Sequence, residues 1–110
     1  MAVTDRDLFR AGRKSSARFD VLRPGIDVVI LQSAGQDIVQ GRSGGASTVD
    51  APIGLHGVWW RLAAGTQYDD SIIYLWNDYA NHWSWEPIRD MPLYVFTAEL
   101  TAINSKFTLV

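Results

Sequence analysis

The sequence predicts an α+β domain that is mostly β, with small sheets packed face to face and one C-terminal helix. Three observations carry that reading. Six to eight short β-rich runs are separated by Gly, Pro, Asp and Ser punctuation, as strands joined by turns would be. Only the last quarter of the chain shows apolar residues at three- and four-residue steps. With 110 residues, 47% hydrophobic and 20% charged, the chain suits one core and a single domain over 1–110.

Composition excludes several classes. The formal net charge of −2 gives no electrostatic case for general nucleic-acid binding or an anionic membrane. No apolar run reaches the length of a bilayer span, so no membrane partner is expected. The start, MAVTDRDLFRAGRKSS, is too polar for a secretory signal peptide, so export by the general pathway is not expected. Zero cysteines remove disulfides, thiol catalysis and Cys-type zinc sites. The two histidines, His56 and His82, are far apart in sequence, which argues against a catalytic metal.

Taken in order, Asp7 to Ala11 alternates and reads as a first strand, with Leu8 and Arg10 on one face. Arg13 to Arg18 is a polar loop with local positive charge. Phe19 to Leu22 and Ile26 to Leu31 read as strands about a Pro24-Gly25 turn, and VVIL is apolar on both faces like a central strand. Asp37 to Gln40 is a further strand. Gly41 to Gly45 is flexible punctuation, whose glycine pair would let backbone approach a ligand before Ser47-Thr48. The phosphate-loop lysine pattern is absent there.

Pro52 to Gly57 reads as a helical turn or loop. Val58 to Ala63 is a strand with Val58, Trp60 and Leu62 on one face and Trp59, Arg61 and Ala63 on the other. Ile72 to Trp76 is a strand broken by Asn77-Asp78, and it pairs with the next as a hairpin. Asp90 is positioned to cap a helix from about Met91 to Ser105, with Pro92 in its first turn. Leu93, Phe96, Leu100, Ile103 and Phe107 form its apolar stripe, with Glu99 and Lys106 off it in solvent.

The stretch richest in chemistry is HWSWEP, His82 to Pro87. Strand alternation puts His82, Ser84 and Glu86 on one face and Trp83 and Trp85 on the other. An imidazole, a hydroxyl and a carboxylate then line a wall that two large rings anchor from behind. Each residue also has a plain structural reading: a strand-end surface acid for Glu86, a hydrogen-bonded structural histidine for His82, an exposed terminal arginine for Arg10, a hydroxyl-rich turn for Ser47-Thr48, and core packing for the tryptophans.

Arg10 on a first strand, Ser47-Thr48 on a later one and Glu86 on a late one follow an order similar to the Arg–Ser–Glu layout of one branch of the ADP-ribosyltransferases. Over Asp7 to Phe107 the chain more closely resembles the type VI secretion effector toxins with an ADP-ribosyltransferase-like fold. The matching pieces are LFR at Leu8 to Arg10, GGASTVD at Gly44 to Asp50, and G-x-WW with AGT between Gly57 and Thr66. Asp78, HWS-x-x-P at His82 to Pro87, and Met91 before the last helix complete them. The resemblance implies ADP-ribosyltransferase-like split sheets with a C-terminal helix, and NAD-dependent transfer of ADP-ribose to an unidentified acceptor macromolecule. NAD is the implied substrate, and no metal is implied. Glu86, Ser47 and His82 take catalytic roles, while Arg10, Ser47, Thr48 and Trp59 bind NAD. Ser84 stands where enzymes that modify protein arginine carry a second Glu or Gln, so that acceptor class is not implied. Action in the cytoplasm, or delivery into a target-cell cytoplasm by a non-classical route, goes with the resemblance, and an immunity protein is a further candidate partner.

Physical chemistry assigns the parts. Breaking the nicotinamide–ribose bond builds positive charge on the ribose, which a buried carboxylate at Glu86 would stabilise. Arg10 would fork onto the pyrophosphate. Ser47 would bind the ribose or orient Glu86, with Thr48 close by; His82 would bind ribose hydroxyls or position the acceptor; Trp59 would stack on a ring of the cofactor. Two alternatives stand beside this one: an NAD glycohydrolase using water as acceptor, and a non-catalytic domain that binds through a Trp-lined surface.

Overall fold

The computed structural model describes residues 1–52 and 57–110; the middle of the turn or loop expected at Pro52 to Gly57, residues 53–56 with His56 among them, lies outside that description. The largest unit is a six-stranded antiparallel sheet. Its order is β11 (Thr108–Leu109), β6 (Val58–Leu62), β2 (Leu8–Gly12), β5 (Ala46–Val49), β9 (His82–Pro87) and β8 (Ile73–Tyr79). A three-stranded sheet places β4 (Gln36–Val39) between β10 (Met91–Pro92) and β3 (Ile30–Ser33), and β1 (Ala2–Val3) pairs with β7 (Gln67–Tyr68). Among the described residues one helix, α1 (Leu93–Asn104), precedes β11. The protein is thus mostly β with a helix near its C-terminus.

Alternation decides which face is core. Leu8 on β2, Ala46 and Thr48 on β5, Leu62 on β6, Ile73 on β8 and Trp85 on β9 are all buried. Trp85 is wholly enclosed, with Phe19 and Tyr68 edge-on to it at 5.2 Å each. Such edge-to-face contacts use the ring quadrupole as well as the buried area. Phe96, Leu100 and Ile103 of α1 are buried as their spacing predicts, and Phe107 packs 5.1 Å from Phe19.

Several segments depart from expectation, each for a local reason. Phe19 to Leu22 forms no strand, and Ile26 to Leu31 is not a central one. Gly25 adopts φ +79°, the amides of Ile26 and Asp27 turn back onto the Arg23 carbonyl, and the Asp27 carboxylate accepts the Arg23 N–H at 2.7 Å. Val28 is buried in the core and Ile30 packs against it, while Val29 and Leu31 are exposed, and β3 is an edge strand. The helix starts two residues later than expected, because Met91 and Pro92 pair with Val39 and Ile38 instead. Asp90 caps nothing on the helix: its carboxylate accepts the Gly41 N–H at 2.8 Å. Glu99 is half-buried rather than solvated and accepts the Asp69 N–H at 2.8 Å. Asn77-Asp78 does not break β8, which runs on to Tyr79 with a register shift between Asn77 and Tyr79.

Gly45 shows why β5 begins where it does. A Cβ there would lie 1.9 Å from the Trp85 carbonyl oxygen, and one at Gly44 (φ +131°) would lie 2.2 Å from that of Asp27. The glycine pair therefore admits the protein's own backbone, where the sequence suggested a ligand's approach.

Candidate active site

β5 and β9 bring the predicted hydroxyl and carboxylate residues onto one face. Ser47 lies directly opposite Ser84, and Val49 opposite His82. In the neighbouring hairpin, Tyr74 is opposite Glu86 and Trp76 opposite Ser84. Period-two alternation therefore puts Ser47, His82, Ser84, Glu86, Tyr74 and Trp76 on the side of the sheet facing away from the Trp85 core. Trp83 and Trp85 point the other way, as HWSWEP predicts.

Glu86 is the most enclosed of the acidic residues described, at 5% exposure. One carboxylate oxygen accepts the Trp76 indole N–H at 2.7 Å; the other lies 3.4 Å from Arg42 Nε. The Arg42 guanidinium rests 3.6 Å above the Tyr74 ring and 5.2 Å from the Trp76 ring centre. A buried carboxylate is costly unless it is paired and hydrogen-bonded, and here a cation and an N–H donor both meet it.

Arg10 shares the core-side face with Leu8. β2 and β5 meet only at Phe9 and Val49, and the Arg10 side chain fills the opening between them. Its guanidinium donates to the carbonyls of Ala17 (3.1 Å), Ser47 (2.7 Å) and Arg18 (3.0 Å). Burial pulls its pKa below the ordinary arginine value. Three of its five N–H groups are thus engaged, and one remains on each terminal nitrogen. Arg10 lines a cleft of about 380 Å³ with Arg18, Arg23, Asp27, Gly45 and Ser47. Arg23 forms an ion pair with Asp27 at 2.9 Å.

The remaining predicted residues separate. Ser47 is exposed and borders both that cleft and a second of about 290 Å³, shared with Phe9, Ala11, Val49 and Trp59. Trp59 is half-buried on that outer face; its indole nitrogen is enclosed and meets no acceptor among the described residues. Thr48 is turned inward at 2% exposure, donating to the Trp83 carbonyl and accepting the Trp85 indole N–H at 3.0 Å. Expected beside the cofactor, it serves the core instead. His82 is held by Asp78, whose carboxylate lies 2.5 Å from Nδ1, and it stacks on Tyr79 at 4.9 Å. That leaves Nε2 as the nitrogen His82 can present outward.

Arg42, Tyr74 and Trp76 were not placed beside Glu86 by the sequence reading, and Asp78, one of the pieces of the resemblance, was given no role beside His82. Tyr74 and Trp76 were accessible in principle, since the predicted hairpin sets them beside Glu86 and Ser84. Arg42 sits in a loop with no period to place it. Among the described residues no group of His, Asp and Glu gathers closely enough to hold a metal ion, and no helix is long and apolar enough to cross a membrane. Compared with protein-family models, curated proteins and solved structures, the chain gives no match.

Proposed function

We propose that the protein is an NAD-dependent ADP-ribosyltransferase-like toxin domain of split-sheet type, which cleaves the nicotinamide–ribose bond and passes ADP-ribose to an acceptor macromolecule. The observation that carries the reading is the pairing of Ser47 with Ser84, with buried Glu86 two residues further along the same face. Diagonal neighbours on adjacent strands stand about 7–8 Å apart, a gap that a ribose can bridge. Glu86 supplies fixed negative charge where the oxocarbenium-like transition state becomes positive. Ser47 holds a ribose hydroxyl at the exposed end of the pair. The free N–H groups of Arg10, with Arg18 beside them, suit the pyrophosphate in the adjoining cleft. Thr48 acts from behind by fixing Trp85, and with it the line of β9. Trp59 offers a flat surface on the outer face, and His82, oriented by Asp78, addresses the acceptor.

The Trp-lined binding surface has less support. Trp85 is enclosed, the indoles of Trp60, Trp76 and Trp83 donate to the Arg13 carbonyl, Glu86 and Asp50, and Arg6 covers the Trp83 ring at 4.2 Å. None of the five tryptophans is exposed.

The test is release of nicotinamide from NAD by the purified protein, with and without cell lysate. Release that requires lysate and is lost in Glu86→Gln supports the transferase. Release without lysate assigns NAD hydrolysis. The absence of both release and NAD binding would overturn the enzymatic reading.

A further inference from the structure

Arg42 is placed unlike an ordinary surface arginine. Its φ is +58°, a left-handed conformation uncommon outside glycine, and its N–H donates to the Pro87 carbonyl at 2.8 Å. The preceding residue, Gly41, is tied to Asp90. The root of the side chain is therefore fixed, while 41% of the side chain remains open to solvent. The guanidinium lies flat enough on Tyr74 to reach 3.6 Å, with Trp76 at its side and the Glu86 carboxylate against Nε. An aromatic floor, an aromatic wall and a carboxylate with 7% exposure form the recognition set for a planar, delocalised monocation.

We propose that this slot is a binding site for a planar organic cation, and that Arg42 is its built-in, displaceable occupant. The side chain can rotate outward about its fixed root, because among the described residues it is held inward by one ion pair 3.4 Å long and by contact with the Tyr74 and Trp76 rings. An incoming cation then takes over the face of Tyr74 and the charge of Glu86. Where the ligand is NAD, the cation is the nicotinamide ring, and Arg42 holds Glu86 neutralised until substrate arrives; that part rests on the function proposed above. A free guanidinium group from a partner chain is the other source of the same chemistry.

The experiment titrates the full chain and Arg42→Ala with 1-methylnicotinamide, ethylguanidinium and neutral nicotinamide, following the Trp76 indole resonance by NMR. The expected result is binding of the cations about ten-fold tighter in Arg42→Ala than in the unmodified chain, and none of neutral nicotinamide. Preference for 1-methylnicotinamide or for ethylguanidinium identifies which source the slot suits. Adding Glu86→Gln to Arg42→Ala removes the binding. Arg42→Lys, which keeps the charge but not the plane, falls between the two and serves if the alanine variant does not fold. Equal or weaker cation binding in both Arg42 variants overturns the proposal, even if NAD is cleaved. Cation binding with neither nicotinamide release nor NAD binding keeps the slot and overturns the NAD reading instead.

Discussion

Trp76 donates its indole N–H to Glu86 at 2.7 Å, joining two strands of one hairpin through side chains on the face away from the core. That bond gives Glu86 two duties. It is a structural acceptor for the indole, and it is a buried carboxylate, paired with the half-open Arg42, close to Ser84 and Ser47. Substitutions that remove one duty and keep the other separate the two.

Glu86→Gln keeps an oxygen for Trp76 and removes the charge. Thermal unfolding should change little, while nicotinamide release should fall about 10²–10³-fold, the usual cost of losing one preorganised electrostatic partner. Glu86→Ala removes both, leaving the indole N–H without its acceptor, and should also destabilise the fold by about 1–3 kcal/mol. A Gln variant as active as the parent would reduce Glu86 to its structural duty.

Gly45→Ala tests how tightly β5 lies on β9. The added methyl would meet the Trp85 carbonyl oxygen at 1.9 Å, and backbone cannot rotate away as a side chain can. Overpacking commonly costs about 1–3 kcal/mol, and the upper end or beyond is expected here. Chemical denaturation measures it. Because Ala46 pairs with Trp85 and Ser47 with Ser84, nicotinamide release should fall even in the fraction that remains folded.

Thr48→Val preserves shape and deletes a hydroxyl that accepts the Trp85 indole N–H inside the core. Leaving that buried donor unpaired should cost about 1–3 kcal/mol. Ser47→Ala, at an exposed position, should leave stability within about 0.5 kcal/mol and act on NAD turnover alone. Equal stability losses in the two variants would contradict the opposite facing of these neighbours.

The facing of HWSWEP was legible because alternation is a local rule: it separated His82, Ser84 and Glu86 from Trp83 and Trp85 without knowledge of the fold. The stripe of α1 was legible for the same reason. What escaped was set by contacts distant in sequence. Asp90 has the chemistry of a cap, but its carboxylate accepts the Gly41 N–H and the helix has no side-chain cap bond. VVIL has the composition of a central strand, but after the Arg23–Asp27 turn only Val28 is fully buried, with Ile30 packed against the core and Val29 and Leu31 exposed. Thr48 could not be told from Ser47 as a site residue until the register against Trp83 and Ser84 fixed which faced the core. Arg42 reaches Glu86 across 44 residues of chain, and no pattern in its own neighbourhood announces that contact.

Asp27 gives the fold an acid-sensitive contact at the rim of the arginine cleft. Its pKa lies below the ordinary aspartate value, first because the Arg23 side chain hydrogen-bonds it; burial opposes that, and the Arg23 backbone N–H and the nearby positive charges of Arg23 and Arg10 add to the lowering. A carboxyl group whose folded pKa is depressed binds protons more weakly in the folded than in the unfolded chain. Its contribution to stability is therefore complete above the unfolded value of about 3.9 and is lost as pH falls through the folded one. Asp27→Asn should be less stable than the parent at neutral pH, and the two melting curves should converge as pH is taken below about 4. The convergence is the informative part. A gap that stayed constant with pH would mean that Asp27 acts through shape and backbone hydrogen bonding alone, and that its charge does not hold Arg23 at the edge of the cleft.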